Sequence, residues 1–135
     1  MKVGYVRVST VEQNLARQLE LMKTLGVEKI YCDKMSGKNT ERTEFKEMME
    51  FLREGDTLYV ESFSRLSRST LDFLNTVSRL QAKSVNLVSD KEKMDMSTPQ
   101  GKFMVTVFAA LSELERTSML ERQREGIEIA KAEGK

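Results

Sequence analysis

The apolar positions switch repeatedly between a strand-like and a helix-like period. Residues 2–8 are nearly continuously apolar, as expected for a strand covered on both faces. From Val11 to Leu25 the spacing becomes helical, with Leu15, Leu19, Met22 and Leu25 recurring at steps of three and four, and Gly26 stands where a left-handed helix cap belongs. Val27 to Cys32 reads as a second strand ending at Asp33, followed by a polar loop from Lys34 to Glu41. Phe45, Met48, Met49 and Leu52 mark a second helix, closed by Glu54-Gly55-Asp56, and Thr57 to Val60 a third strand. After a basic, serine-rich turn from Ser62 to Ser69, Leu71, Leu74, Val77 and Leu80 mark a third helix, and Val85 to Val88 a fourth strand. The alternation predicts an α/β fold: a mostly parallel sheet of four to five strands flanked by helices.

The last segment is different. From about Pro99 to Glu133 only Gly126 interrupts a helical sequence; Thr98 can cap its start and Pro99 can occupy its first turn. At ~1.5 Å per residue such a helix reaches ~50 Å, against a radius of gyration of ~14 Å for a domain of this size. It must project beyond its own domain. Phe103, Val107 and Leu114 share one face, with Val105 and Ala109 roughly opposite. One face can cover the domain and the other then needs a partner; a core helix with a frayed tail is the alternative. The chain thus divides into a core, residues 1–98, and a long helix for oligomerisation, residues 99–135, that belongs to the same domain.

Composition narrows the chemistry. The 22 basic and 21 acidic residues leave a net charge of +1, so a nucleic-acid partner must be met by local charge or by another domain. There is no histidine and one cysteine, which rules out an internal disulfide framework and leaves no metal cluster to expect; Cys32 reads as a small apolar filler at a strand end. Lys2 and Arg7 flank only a brief apolar run, and Phe103 to Leu111 is too short to span a bilayer, so no leader and no membrane span are expected, and a reducing cytoplasm is the expected compartment.

If the strands are parallel, three polar groups converge on one sheet edge, where such folds keep their ligands: Arg7 and Ser9 after the first strand, Asp33 and Ser36 after the second, Arg65 and Arg68 after the third. Three guanidiniums around one hydroxyl suit a phosphodiester passing through a crowded, doubly negative transition state. Each residue also has a plainer reading. Ser9 can be a helix N-cap, Arg7 an edge residue, Arg65 and Arg68 a solvated helix start, Gln13 and Gln18 helix-surface residues, and Asp33 a turn cap.

Gly4-Tyr5-Val6-Arg7-Val8-Ser9-Thr10 followed by Gln13-Asn14-Leu15-Ala16-Arg17-Gln18 resembles the opening of the serine recombinases, the resolvases, DNA invertases and serine integrases. The resemblance continues in order through Asp33-Lys34-Met35-Ser36-Gly37, Arg42, Ser64-Arg65-Leu66-Ser67-Arg68, Thr98-Pro99-Gln100-Gly101, Glu115-Arg116 and Leu120-Glu121-Arg122. It implies a resolvase-like catalytic fold. It makes Ser9 the nucleophile on a DNA phosphodiester, giving a 5′-phosphoserine linkage and a free 3′-hydroxyl. Arg7, Arg65 and Arg68 become the cluster on the scissile phosphate, Arg42 a further active-site arginine, and Gln13, Gln18, Asp33 and Ser36 supporting residues. Arg116 and Glu121 match long-helix positions tied to dimer and tetramer interfaces and to activation. No cofactor or metal is implied, because the covalent link stores the bond energy. Four subunits would cut four strands, rotate and rejoin.

The sequence departs from that pattern at Ser64, where many resolvases carry an aspartate, so any carboxylate role there is open. Without histidine, general acid–base duty must fall to an arginine, a carboxylate, the phosphate or water. The chain reaches Lys135 with no helix-turn-helix pattern and is expected to lack a DNA-binding domain. Two other readings compete: a non-catalytic oligomerisation module whose arginines only bind phosphate, and a carboxylate-metal nuclease.

Overall fold

In the computed structural model, Lys2–Val8 form strand β1, whose successive side chains point to opposite faces of a sheet. β2 (Lys29–Lys34), β3 (Thr57–Val60) and β4 (Asn86–Ser89) run parallel to it in the order β2-β1-β3-β4, and β5 (Met94–Asp95) adds an antiparallel edge beside β4. The helices are α1 (Leu15–Thr24), α2 (Thr43–Phe51), α3 (Phe63–Leu66), α4 (Thr70–Ala82) and α5 (Pro99–Ala132). The structure describes residues 1–8, 15–34, 41–67 and 69–132; the side chains of Arg116, Met119 and residues 125–132 lie outside that description.

The two faces of β1 enter two cores. Val3 and Tyr5 join the larger one with Phe45, Met48 and Met49 of α2, Phe63 of α3, Phe73, Val77 and Leu80 of α4, and Val105 and Phe108 of α5. Val6 and Val8 join the smaller one with Met22 of α1, flanked by Leu15, Val27 and Cys32. Fully burying a side chain of this size contributes roughly 2 kcal/mol. Gly26, at φ +78°, ends α1 as its sequence position predicts, since a left-handed residue with a Cβ would be strained there.

Several elements differ from the pattern reading. β2 runs to Lys34, so Asp33 lies within the strand and does not terminate it. The serine-rich turn contains the one-turn helix α3. Leu71 does not face the core: it is 59% exposed, and α4 buries Phe73, Thr76, Val77 and Leu80. Ser69 sets this rotation by capping α4 through the amide of Asp72 (3.1 Å), which starts the helix with Leu71 outward. β5, two residues long, has no periodicity to read. Cys32 is half-buried inside β2, and burial pushes its thiol pKa up.

The long helix is present as a continuous 34-residue element. Thr98 Oγ1 accepts the amide of Gly101 (3.1 Å), the cap read from the sequence. Gly101, Val105 and Phe108 occupy the face turned to the domain, while Phe103 (65% exposed), Leu111 and Leu114 lie on the other side. Gly101 is buried against backbone: a Cβ there would collide with the carbonyl oxygen of Asp95 and stand 2.7 Å from Met96 Cα. Gly101→Ala therefore gains about 1 kcal/mol of helix propensity but loses about 3 kcal/mol to overpacking. A net destabilisation of about 2 kcal/mol is expected in urea titration.

The Asp95 carboxylate braces the same junction, accepting from Asn86 Nδ2 (2.8 Å), Ser97 N (2.9 Å) and Ser97 Oγ (2.7 Å). Burial alone would raise its pKa; the Ser97 and Asn86 donors outweigh it and hold the carboxyl below the ordinary range. A depressed folded-state pKa means stability that is present above the unfolded value of about 3.9 and is lost as the pH falls through the folded one. The stability advantage of the wild type over Asp95→Asn should thus be full near pH 6 and shrink below about pH 4, measured by urea midpoints across that range.

Candidate active site at the carboxyl ends of the strands

Two-residue alternation places Arg7 on the same sheet face as Val3 and Tyr5, the face covered by α3. Its Nη2 donates to the carbonyl of Ser64. The Arg7 carbonyl in turn accepts from Gln18 Nε2 of α1 and from Arg65 Nη1 of α3, each at 3.4 Å. The exit of β1 is therefore gripped from both sides, and Arg7 and Arg65 meet there. Ser9 follows one residue beyond the end of β1. Ser9, Gln13, Ser36 and Arg68 lie outside the described residues.

The supporting residues divide by burial. Gln18 is buried, not a helix-surface residue. Asp33, also buried, accepts from the amides of Glu44 and Phe45 (3.0 Å each) and from Tyr5 Oη (2.7 Å). It is opposite Arg7 in the β1–β2 register, yet its carboxylate serves the N-terminus of α2. Burial of Tyr5 raises its hydroxyl pKa, keeping it a neutral donor to Asp33. Arg42 is buried as well. It spans α2, α3 and α4: Nη2 donates to the carbonyl of Leu66, Nη1 pairs with Asp72 (3.2 Å), and its guanidinium carbon lies 3.8 Å from the Phe45 ring centroid. On this geometry Arg42 holds the segment that carries Arg65.

Among the described residues, the buried side-chain polar atoms without a hydrogen-bond partner belong to Gln18, Arg42, Glu61 and Ser67. All four residues cluster around the exits of β1 and β3, the end of the sheet where Arg7 and Arg65 converge. Such unmet groups concentrate where a protein keeps its chemistry. No group of three or more potential metal ligands occurs among the described residues, and no described helix is long and apolar enough to cross a membrane. Arg116 and Glu121 sit far along α5, and Glu121 is exposed.

The family model of the resolvase N-terminal domain matches residues 2–135. The chain belongs to the resolvase family. This resolvase-family chain is 44% identical over 135 residues to a DNA-invertase of Enterobacteria phage P7, covering 100% of itself and 73% of that protein. It is 42% identical over 140 residues to a resolvase of Clostridium perfringens, covering 100% of itself and 74% of the relative. A crystal structure of a resolvase family site-specific recombinase from Streptococcus pneumoniae superposes with TM-score 0.79 at 30% identity, covering 98% of each chain. The N-terminal catalytic domain of TP901-1 integrase gives TM-score 0.67 at 28% identity, over 87% of this chain and 98% of the other.

Three residues beside the candidate site escaped the sequence reading. Tyr5 and Asp72 are partners of Asp33 and Arg42, and nothing local in the sequence marks them. Glu61 had a usable signal, since it directly follows β3 just as Ser9 follows Val8 at the end of β1.

Proposed function

We propose that this resolvase-family domain performs site-specific recombination of DNA, with Ser9 as the nucleophile that cuts and reseals each strand. Two arginines gathered at the exit of the very strand that leads into Ser9 are the observation that carries this reading. The names of its relatives, a DNA-invertase and resolvases, point to the same class of reaction.

The Ser9 hydroxyl attacks the phosphorus, its proton leaving to a base as the Oγ–P bond forms and the P–O3′ bond breaks. The departing 3′-oxygen takes up a proton. The product is a 5′-phosphoserine and a free 3′-hydroxyl. Resealing runs the same exchange backwards with a 3′-hydroxyl as nucleophile, so one phosphodiester is traded for another and no external energy is needed. Arg7 and Arg65, with Arg68, stabilise charge building on the non-bridging oxygens. Arg42, Gln18 and Asp33 act one layer back, fixing α3, β1 and α2, and Gln13 and Ser36 complete the supporting set. α5 joins subunits into dimers, and into a tetramer on paired sites, through the exposed face of Phe103, Leu111 and Leu114, with Arg116 and Glu121 further along.

Short duplexes randomised around a central nick test the proposal, because cleavage opposite the nick releases the strand and traps the adduct. Protein attached to 5′ ends, mapped to Ser9 by mass spectrometry after nuclease digestion, is the expected result. No adduct, or a linkage at another residue, overturns it. Adduct yield should be unchanged by EDTA, as no step uses a metal.

A further inference from the structure

Glu61 is absent from the mechanism above, yet its surroundings are unusual for a carboxylate. It leaves β3 at the same sheet edge as Arg7 and is largely buried. Oε1 is anchored at 2.6 Å by Arg17, reaching over from α1. Oε2 is buried and no hydrogen-bond donor reaches it among the described residues; it faces Arg65, whose Nε lies at 4.0 Å and whose side chain is only 30% exposed. A desolvated anionic oxygen with no donor is costly, and it draws the cation in front of it. Ser64, the residue next to Arg65, offers no competing charge: its hydroxyl is 2.9 Å from that of Ser62.

We infer that Glu61 is a positioning residue, whose carboxylate fixes the guanidinium of Arg65 through the Nε edge so that the opposite edge presents two N–H groups to the scissile phosphate. The inference rests on the phosphodiester reading of the site. A planar guanidinium held along Nε keeps its other fork free, so one anion orients it while a second is bound. Arg17 locks the carboxylate from the far side, tying α1 to α3 across the exit of β1. Arg65 Nη1 also donates to the Arg7 carbonyl (3.4 Å), which uses one of its two hydrogens and leaves the other, with Nη2, for the phosphate.

The test uses the intact chain. Glu61→Gln keeps the shape and removes the charge. Adduct formation on saturating nicked duplex is expected to slow about 10²-fold, the usual effect of misplacing a catalytic group by an ångström, while DNA affinity changes little. In an Arg65→Gln background the same substitution should cost nothing further, because Glu61 acts only through Arg65. Cleavage by Glu61→Gln as fast as or faster than wild type overturns the inference, as does an equal loss in both backgrounds. A readout without DNA separates this from the function proposal. The Arg65 Nε–Hε NMR signal, assigned by its loss in Arg65→Gln, should shift and exchange faster with solvent in Glu61→Gln. An unmoved signal refutes the pairing even if cleavage is never seen, whereas a shifted signal without any adduct in the wild type counts against the recombinase chemistry alone.

Discussion

Ser9→Ala is expected to abolish the covalent adduct with DNA, a loss of at least about 10⁴-fold, because removing a nucleophile leaves only binding and charge stabilisation. The two readings of Ser9 separate cleanly here. A serine serving only as helix N-cap would cost about 1 kcal/mol of stability when replaced by alanine and leave the chemistry intact. A nucleophile would do the reverse. Urea midpoints and adduct yields measured on the same preparation distinguish them. A variant that still forms the adduct at the wild-type rate ends the nucleophile reading.

Arg42→Ala has the largest expected effect on stability. The Leu66 carbonyl loses a charged donor, the Arg42–Asp72 ion pair is broken, and the stack on Phe45 disappears. Breaking a fully buried pair costs roughly 3–5 kcal/mol, but Asp72 is 38% exposed and can be rehydrated, so the lower end applies: about 3 kcal/mol. Cleavage should fall too, because the freed carbonyl belongs to α3, which also carries Arg65. Arg42→Met restores the packing volume and should recover part of the stability. If Arg42→Ala instead leaves the urea midpoint unchanged while cleavage is lost, then Arg42 acts in the chemistry itself, as the further active-site arginine that the sequence resemblance implied.

Much of the fold was readable because its periods are clean. β1 is apolar but for Lys2 and Arg7, α2 and its C-cap place Phe45, Met48, Met49 and Leu52 on one buried side, and Thr98-Pro99 announces α5. The failures have local causes. Leu71 continues a leucine spacing that looks like a core face, but the Ser69 cap sets the helix phase and turns that leucine out. α3 is a single turn, too short for any repeat to show. The convergence of Arg7 and Arg65 was legible from parallel topology, since strand exits share an edge. The division between groups at the β1 exit and groups buried behind them was not. Arg42 and Arg65 are the same residue type near the same turn, and only packing shows that one lies beneath Leu66 while the other faces the β1 exit.

The glycine contact at the base of α5 carries a mechanical consequence. At ~1.5 Å per residue, 34 residues make a lever about 50 Å long, and a tilt of about 5° at its pivot swings the tip by about 4 Å. Close backbone contact at Gly101, with Asp95 bracing the turn before it, keeps that pivot stiff. The aim of the distal end is thus governed by two residues near the hinge, and a single added methyl there would misdirect whatever the far half of the helix must meet.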